Sequence, residues 1–273
     1  MDKGHEFVDN KLIELEEELK LIYSKTIKEV EKNIKKQSNK IILNPQASQK
    51  EIRAAVNRLN SLYKTLTVEL NNADLRAVDL LKKELEEIGL KNLEYADKQI
   101  RDKIKKLNID QTFTLFNKEV LGAILQGSVF TNLAIEGFTD KNFIYRELKR
   151  NFAIGMLQGE GIPKLAKRIQ GVINSNMKRA VLIARTENTR VENEARNEVF
   201  NNASKNGIEL KKKWLSARDS RVRKSHSFIN GEVAEMNEQF SNGLEYPGDP
   251  SGDPREVCNC RCSMVSLVKG VDY

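Results

Sequence analysis

The chain has little of what compact β-rich or secreted domains usually contain. Its 273 residues include three cysteines, five prolines, two histidines and one tryptophan, and aromatic residues make up 6%. Sparse aromatics together with 31% charged residues favour long, solvated helices over a tightly packed β-sandwich. Three cysteines within five positions cannot form a disulfide framework, so we expect reduced thiols and assembly inside a cell.

Long apolar runs are also missing. The longest aliphatic stretch is Ala180–Ala184, which is far too short to cross a membrane. The first residues lack a basic segment followed by an apolar run, so we expect no signal peptide. The net charge of +7 permits contact with nucleic acid or an acidic partner but does not require it.

The first half of the chain has the apolar periodicity of helices. Up to about residue 120, apolar residues recur every three or four positions, and there are only two glycines and one proline. We expect three helices separated by breaks at Pro45 and at Asn71–Asn72, the second beginning with a capping box of Ser48 and Glu51. The apolar stripes predict a hairpin or bundle or, alternatively, a coiled-coil surface for a partner.

The second half is richer in glycine and proline. We expect a helix cap at Thr139–Asp140, a helix with Pro163 in its first turn, and a separate long helix that Asn174–Asn176 opens and Gly207 closes. Beyond Gly207 the pattern predicts three short strands, over 210–216, 231–234 and 260–268. The predicted fold class is α+β and predominantly helical. A partner-contacting helical region would cover 1–125, and a small domain with short antiparallel strands would cover 139–273.

Residue types that carry chemistry are concentrated in the last fifth of the chain. Cys260, Cys262 and His226 are candidate ligands of Zn²⁺, which thiolates and imidazole bind. The fourth ligand would be Cys258, Asp219, Asp249 or water. Two alternatives stay open. The thiols could be buried and inert on a strand that faces the core, or Cys and His could form a nucleophile pair with Asp219 or Asp249 orienting the imidazole of His226.

A basic run lies just before an acidic one. From Lys211 to Lys224 there are seven basic residues and one acid, and residues 232–256 contain seven acids and one arginine. We expect Arg221 and Arg223 to pair with this acidic block, because arginine binds carboxylates through two parallel hydrogen bonds. The residues left to contact the phosphates of nucleic acid are Lys211, Lys212 and Lys213.

One helix has a polar face at a spacing of three and four residues. Such a face predicts a buried polar seam that docks the helix against the α+β domain. Its members are Arg185, Thr189, Glu192 and Arg196.

These motifs follow one another in an order that resembles the phage Mu F-like family of minor head proteins, also called head morphogenesis proteins. The resemblance covers about residues 145–268. The matching segments are Gly159-Glu-Gly161, Arg185-Thr186-Glu187, Trp214 followed by Asp219-Ser-Arg221-Val-Arg223 and His226, and Asn259-Cys260-Arg261-Cys262. It implies that the structural residues of the motif are Arg185, Glu187, Trp214, Asp219, Arg221 and Arg223. Cys258 departs from the family pattern.

The resemblance implies a protein of low copy number in the head interior, near the portal, that acts in procapsid assembly and in DNA packaging or delivery. Its implied partners are the portal protein and double-stranded DNA bound without sequence preference, with scaffold or major capsid protein as further candidates and no membrane. The implied location is the virion, after assembly in the host cytoplasm. The family implies no enzymatic activity. The alternative is a head-carried enzyme or toxin-like effector that uses His226 with Cys260 or Cys262.

Overall fold

A computed structural model describes residues 2–38, 46, 48–109, 115, 118–126, 141–158, 160, 162–217 and 219–273. The helices are α1 (Lys3–Ser38), α2 (Gln49–Lys105), α3 (Lys118–Gln126), α4 (Lys141–Leu157), α5 (Ile162–Lys205), α6 (Lys224–Phe228) and α7 (Pro254–Val257). The strands are β1 (Leu210–Leu215), β2 (Val233–Glu235) and β3 (Ser263–Val268). This α-rich arrangement with a small C-terminal sheet confirms the predicted fold class. None of the helices in the described ranges is long and apolar enough to span a membrane.

Two predicted helix breaks are wrong. Helix α2 continues through Asn71–Asn72, and α5 continues through Asn174–Asn176. An asparagine inside a helix costs less than about 1 kcal/mol, and burial of the surrounding apolar stripe outweighs that cost. Asn176 also uses its side chain for a tertiary contact instead of a cap, because its Nδ2 donates to Asp74 Oδ2 at 3.1 Å.

Other local predictions match the structure. The Ser48 N–H donates to Glu51 Oε2 at 2.7 Å and the Glu51 N–H donates to Ser48 Oγ at 3.3 Å, which is a capping box. Pro163 lies in the first turn of α5, and Gly207 ends that helix at a φ of 85°. The predicted break at Pro45 and the predicted cap at Thr139–Asp140 lie outside the described residues.

The three strands form one antiparallel sheet in the order β2-β1-β3. Strand β1 pairs Lys213 with Val233 on one side and Trp214 with Met264 on the other. The last strand begins at Ser263, later than predicted, because Ser263 pairs with Leu215, where the partner strand β1 ends. The cysteines therefore lie in the turn before β3 and do not form a regular row along a strand.

The chain packs into two compact units. The first contains residues 1–15, 81–133 and 182–273, and the second contains residues 16–80 and 134–181. Each unit combines segments from both halves of the sequence. The division into 1–125 and 139–273 stays a prediction about which fragments fold alone. In the second unit, Tyr63 packs edge to face against Tyr145 and Phe152, with ring centroids 6.1 and 5.6 Å apart.

Candidate functional site

Trp214 is the centre of the small C-terminal core. It is fully buried on β1 and packs edge to face against Phe240 and His226, with ring centroids 5.2 and 5.1 Å away. Edge-to-face pairs of this kind stabilise by about 0.5–1.5 kcal/mol beyond the burial of their area. Its packing fixes the position of the His226 ring on α6. The other buried members of this core include Ile229, Ala234, Leu244 and Val257.

The three predicted metal ligands come together in this core. His226 Nδ1 lies 3.4 Å from Cys262 Sγ and 3.5 Å from Cys260 Sγ. The ligand atoms of all three residues lie within 4.8 Å of one another, and each residue is at most 2% exposed. Residues 226, 260 and 262 are separated in the sequence, and the folded chain brings them together into one compact His–Cys–Cys group.

Helix α5 holds the backbone of the two cysteines. The Thr189 hydroxyl donates to the Cys260 carbonyl, and Asn193 Nδ2 donates to the Cys262 carbonyl at 3.1 Å. The Met264 N–H in turn donates to Asn193 Oδ1 at 3.0 Å. Thr189 and Asn193 are one helical turn apart, so the helix fixes both thiol-bearing residues from the same side.

The second nitrogen of His226 faces a carboxylate that sequence reasoning missed. His226 Nε2 lies 2.8 Å from Glu256 Oε2, in a close contact that does not have the geometry of a hydrogen bond. Ser225 Oγ donates to the same Glu256 oxygen at 2.9 Å. We expected Asp219 or Asp249 to orient the imidazole. The only sequence signal for Glu256 was its place in the acidic block directly before the cysteines.

The two buried thiols differ in acidity. A hydrogen bond from the Cys260 thiol lowers the pKa of Cys262 against the effect of burial, and the neighbouring His226 lowers it further. The same thiol–thiol bond, reinforced by burial, raises the pKa of Cys260. The pair therefore favours one thiolate and one thiol, and thiolate is the form of cysteine that binds metals.

The predicted protein groups for a fourth ligand lie elsewhere. Among the described residues, Asp219, Asp249 and Cys258 do not belong to the group of ligand atoms around His226. Asp249 accepts the backbone N–H groups of Glu245 and Ser251 at 2.9 and 2.8 Å, and so it organises a turn. Asp219 binds Arg261 at 2.7 Å. Cys258 caps the end of α7 and is half-buried. Water is therefore the remaining candidate among the predicted fourth ligands.

The three candidate lysines do not form one basic surface. Side chains alternate along β1, so Lys212 points the opposite way from Lys211 and Lys213. Lys212 is 1% exposed, its Nζ lies 5.5 Å from the Phe240 ring, and burial lowers its pKa. Lys211 Nζ is paired with Glu235 Oε1 at 2.7 Å. The predicted joint exposure of the three lysines to phosphate is therefore wrong in this structure.

The arginines of the basic run find partners other than the predicted carboxylates of the acidic block. Arg221 pairs with Asp219, only two residues away, at 3.3 Å. Arg223 Nη1 donates to the backbone carbonyl of Glu256 at 3.0 Å, and its Nη2 donates to that of Cys258. The guanidinium therefore binds the carbonyls at the end of α7, where helix carbonyls lack partners within the helix.

The predicted polar seam is present on α5. Glu192 Oε1 accepts a hydrogen bond from Ser263 Oγ at 3.0 Å, and Arg196 Nη1 donates to the Ser263 hydroxyl and to the Met264 carbonyl, both at 3.0 Å. Thr189 makes the contact to Cys260 described above. Arg185 is half-buried at the start of this segment. Glu187 is buried and accepts from Arg190 Nε at 2.9 Å, which gives it a structural contact.

The seam also takes partners from the beginning of α1. His5 Nδ1 lies 3.0 Å from Glu192 Oε1, and Asp2 binds Arg196 at 3.0 Å. Burial alone would lower the pKa of His5, but the charge of Glu192, its hydrogen bond to the ring and the charge of Asp9 together outweigh burial and raise the pKa to about 9. His5 is therefore charged at neutral pH. Sequence reasoning missed this pair, and the scarcity of histidine was the only signal that could have pointed to it.

A separate cavity of about 600 Å³ opens in the first unit. Its charged lining consists of Asp2, His5, Asp9, Asp219 and Arg261, and His226 and the two buried thiols are not among the residues that line it. The sulfur atoms are therefore closed off from this cavity.

Comparisons with known proteins agree with the order of motifs. Residues 146–265 match the family described as Phage Mu protein F like protein. The chain is 26% identical over 280 residues to the Minor head protein GP7 of Bacillus phage SPP1, which covers 97% of this chain and 85% of that protein. No solved structure matches the chain.

A second curated relative is an enzyme. The chain is 27% identical over 167 residues to the NAD(+)--arginine ADP-ribosyltransferase EFV of Enterococcus faecalis (strain ATCC 700802 / V583). This match covers 60% of the present chain but only 33% of that protein. The family match contains helix α5, the Trp214 core and the cysteine segment, which are the parts that carry the ordered motifs. The predicted resemblance to the Mu F-like family of phage minor head proteins is therefore confirmed over residues 146–265.

Proposed function

We propose that this chain is a phage minor head protein that acts in procapsid assembly and in DNA packaging or delivery. The observation that carries the proposal is the similarity to a minor head protein over 97% of the chain, which includes the helical first half as well as the family region. Its place would be the head interior near the portal, after assembly in the host cytoplasm.

The partner proposed first is the portal protein, with scaffold and major capsid protein as further candidates. This proposal is supported by exposed apolar side chains on the long helices. In the second unit, α1 and α2 expose Leu21, Val56 and Val68. We assign partner contact to the predicted region 1–125. The predicted domain 139–273 would then carry the Mu F-like part. A fragment that starts at residue 139 lacks the contacts of Glu192 and Arg196 to residues 2–5, so its melting against the whole chain measures how far this division holds.

Contact with double-stranded DNA is the second partner proposal. It rests on the net charge of +7 and not on the three lysines of β1, because one of these is buried and another is paired. Binding of this kind is independent of sequence and weakens steeply with salt. Equal affinity at low and moderate salt, measured by fluorescence anisotropy with two unrelated duplexes, would contradict it.

The assembly role is tested by omitting the chain from a phage infection. Particles made without it should include fewer DNA-filled heads, and supplying the chain in trans should restore them. A matched pair of variants sharpens the test, since Arg255→Leu changes a 91% exposed side chain and should complement fully, whereas Arg196→Leu breaks the buried seam. Equal yields of filled heads with and without the chain would refute the proposal.

We also propose that His226, Cys260 and Cys262 hold a Zn²⁺ ion, with water as the fourth ligand. A tetrahedral zinc with Zn–S near 2.3 Å and Zn–N near 2.0–2.1 Å separates sulfur and nitrogen by about 3.6 Å. The observed separations are 3.4 and 3.5 Å, so the three side chains need little movement to bind the metal. When bound, zinc would link α6 to the turn before β3 and stabilise the small core.

The zinc proposal has a direct test with an internal control. The whole chain, dialysed free of loose metal, should contain about one zinc by elemental analysis. Cys260→Ser with Cys262→Ser should lose the zinc and lower the melting temperature. Cys258→Ser changes a thiol outside the cluster and should retain the zinc. A zinc-free wild-type chain whose melting temperature is unchanged in the double variant would end the proposal.

The rival function, an enzyme or effector, has one specific observation in its favour. Cys262, His226 and Glu256 are arranged in space like a nucleophile, a base and an orienting carboxylate. Cys262 Sγ lies 3.4 Å from His226 Nδ1, and His226 Nε2 lies 2.8 Å from Glu256 Oε2. Against it, a substrate must reach the sulfur, and Cys262 is 2% exposed and does not line the cavity of this unit. We therefore prefer the metal site.

A further inference from the structure

We infer that Glu256 is the positioning residue of the proposed zinc site and that it makes Nδ1 of His226 the nitrogen that binds the metal. The inference depends on the zinc site proposed above. It specifies which ring nitrogen coordinates the metal and which residue determines that choice. It also links α6, which carries His226, and α7, which carries Glu256, to the site.

The two nitrogens of His226 have different surroundings. Nδ1 faces both sulfurs, at 3.4 and 3.5 Å, whereas Nε2 faces a carboxylate oxygen of Glu256 at 2.8 Å. A neutral imidazole carries one proton, and an ionised carboxylate can only accept. With zinc bound, Nδ1, which faces the sulfurs, would give its lone pair to the metal, and the proton of the neutral ring would be on Nε2 beside the carboxylate.

Glu256 is itself held in place from two sides. Ser225 Oγ donates to both of its carboxylate oxygens, at 2.9 and 3.2 Å, and Arg223 donates to its backbone carbonyl at 3.0 Å. Asp253 caps α7 and thereby fixes the backbone that carries Glu256, since its side chain accepts the Arg255 N–H at 2.8 Å. A carboxylate anchored in this way can hold a ring in one orientation rather than follow it.

Packing opposes a flip of the His226 ring. Trp214 lies edge to face against the ring at 5.1 Å, and His226 is 1% exposed. A half-turn about the Cβ–Cγ bond would place the carbon Cδ2 where Nδ1 now faces the sulfurs, and the carbon Cε1 where Nε2 now faces Glu256. Both changes are unfavourable, since the metal-binding nitrogen would leave the thiols and the carboxylate would lose its polar neighbour. The combination of Trp214 and Glu256 therefore selects one orientation.

The tautomer can be read directly in the full chain. Long-range ¹H–¹⁵N correlation spectra of protein labelled at histidine report which nitrogen carries the proton, and there are only two histidines to distinguish. His5 should give the pattern of a charged imidazolium at neutral pH, which distinguishes it from the histidine that responds to zinc. We expect the zinc-loaded chain to show His226 protonated at Nε2, with its Nδ1 signal shifted by the addition of ZnCl₂. Coordination through Nε2 would overturn the inference.

Zinc affinity gives an independent readout. Loss of such a supporting carboxylate typically weakens metal binding by about 10–100-fold, so Glu256→Ala should show a loss in this range in competition with a chelator. Glu256→Gln should lose less, because its amide oxygen can still lie beside Nε2, and it serves as the folded comparison if the alanine variant does not fold. Glu209→Ala is the control, since Glu209 is exposed and pairs with Lys269 on the surface.

The outcomes separate this inference from the proposal beneath it. Weakened binding in Glu256→Ala with unchanged binding in Glu209→Ala supports the positioning role. Equal affinity of Glu256→Ala and wild type refutes the positioning role and leaves the zinc site intact. A folded wild-type chain that binds no zinc would refute both the zinc site and the positioning role of Glu256.

Discussion

Replacing Arg196 with leucine should destabilise the first compact unit more than any surface change. This side chain is 1% exposed and lies where α5 meets three other segments of that unit. The guanidinium contacts Asp2 (3.0 and 3.1 Å), Glu192 (3.0 Å), Asn92 (3.0 Å), Ser263 (3.0 Å), the Met264 carbonyl (3.0 Å) and the ring of Tyr95.

The magnitude follows from the two carboxylates that would lose their partner. Removing one member of a buried ion pair costs about 3–5 kcal/mol, because the remaining charge stays buried without compensation. Glu192 would keep His5 as a partner, and Asp2 would lose both of its bonds to the guanidinium. We therefore expect Arg196→Leu to lower the free energy of unfolding by about 3–5 kcal/mol. Arg196→Lys should cost less, because it keeps the charge but not the planar set of donors.

The assay can report on this unit alone. Trp214 is the only tryptophan in the chain and belongs to the first unit, so its fluorescence during urea unfolding follows that unit. Arg255→Leu is the matched control, since this arginine is 91% exposed and its change should stay within about 0.5 kcal/mol. A loss below about 1 kcal/mol in Arg196→Leu would refute the reasoning that the seam is a buried charge network.

Three further predictions concern protonation and backbone conformation. The pKa of His5 is raised from 6.5 to about 9 in the folded chain, so its stabilising contribution is complete below pH 6.5 and is lost as pH rises through 9. Unfolding followed by Trp214 fluorescence should show this fall, and His5→Gln should flatten it. Burial, opposed by the hydrogen bonds from Tyr23 and Asn176, raises the pKa of Asp74 to about 7, so its contribution is present below its ordinary value of 3.8 and is lost as pH rises through 7. Asp74→Asn should remove that part of the pH dependence in melts followed by circular dichroism. Gly248→Ala should cost more stability than Gly243→Ala, because both have positive φ but only the added Cβ at 248 meets the α5 backbone, at 2.9 Å. Equal losses at the two glycines would contradict this explanation.

Periodic and local features were predictable from the sequence. The spacing of apolar residues predicted the helices, and the Ser48–Glu51 capping box and the Gly207 helix end are formed as expected. The predicted breaks at Asn71–Asn72 and Asn174–Asn176 failed because a local preference below about 1 kcal/mol cannot compete with burial along a long apolar stripe. Propensity decides a helix boundary only where packing does not.

In the candidate site too, the residues were predictable where their type and spacing are informative, and they were not predictable where their role depends on tertiary packing. Sequence reasoning found His226, Cys260 and Cys262, because rare residue types close to one another in the chain are visible without a structure. It missed Glu256, since acidic residues are common in this chain and its role depends on how two short helices pack. It also missed the His5–Glu192 pair, whose members are 187 positions apart and meet only through tertiary packing. The lysines of β1 were misjudged because a charge run was interpreted without the alternation of the strand that carries it.

The most direct test of the head role is quantitative mass spectrometry of purified, DNA-filled heads of the phage that encodes this chain. We predict that the chain is present in these heads in few copies relative to the major capsid protein. Its absence from filled heads and from their precursors, with the chain found only in the soluble lysate, would contradict the account.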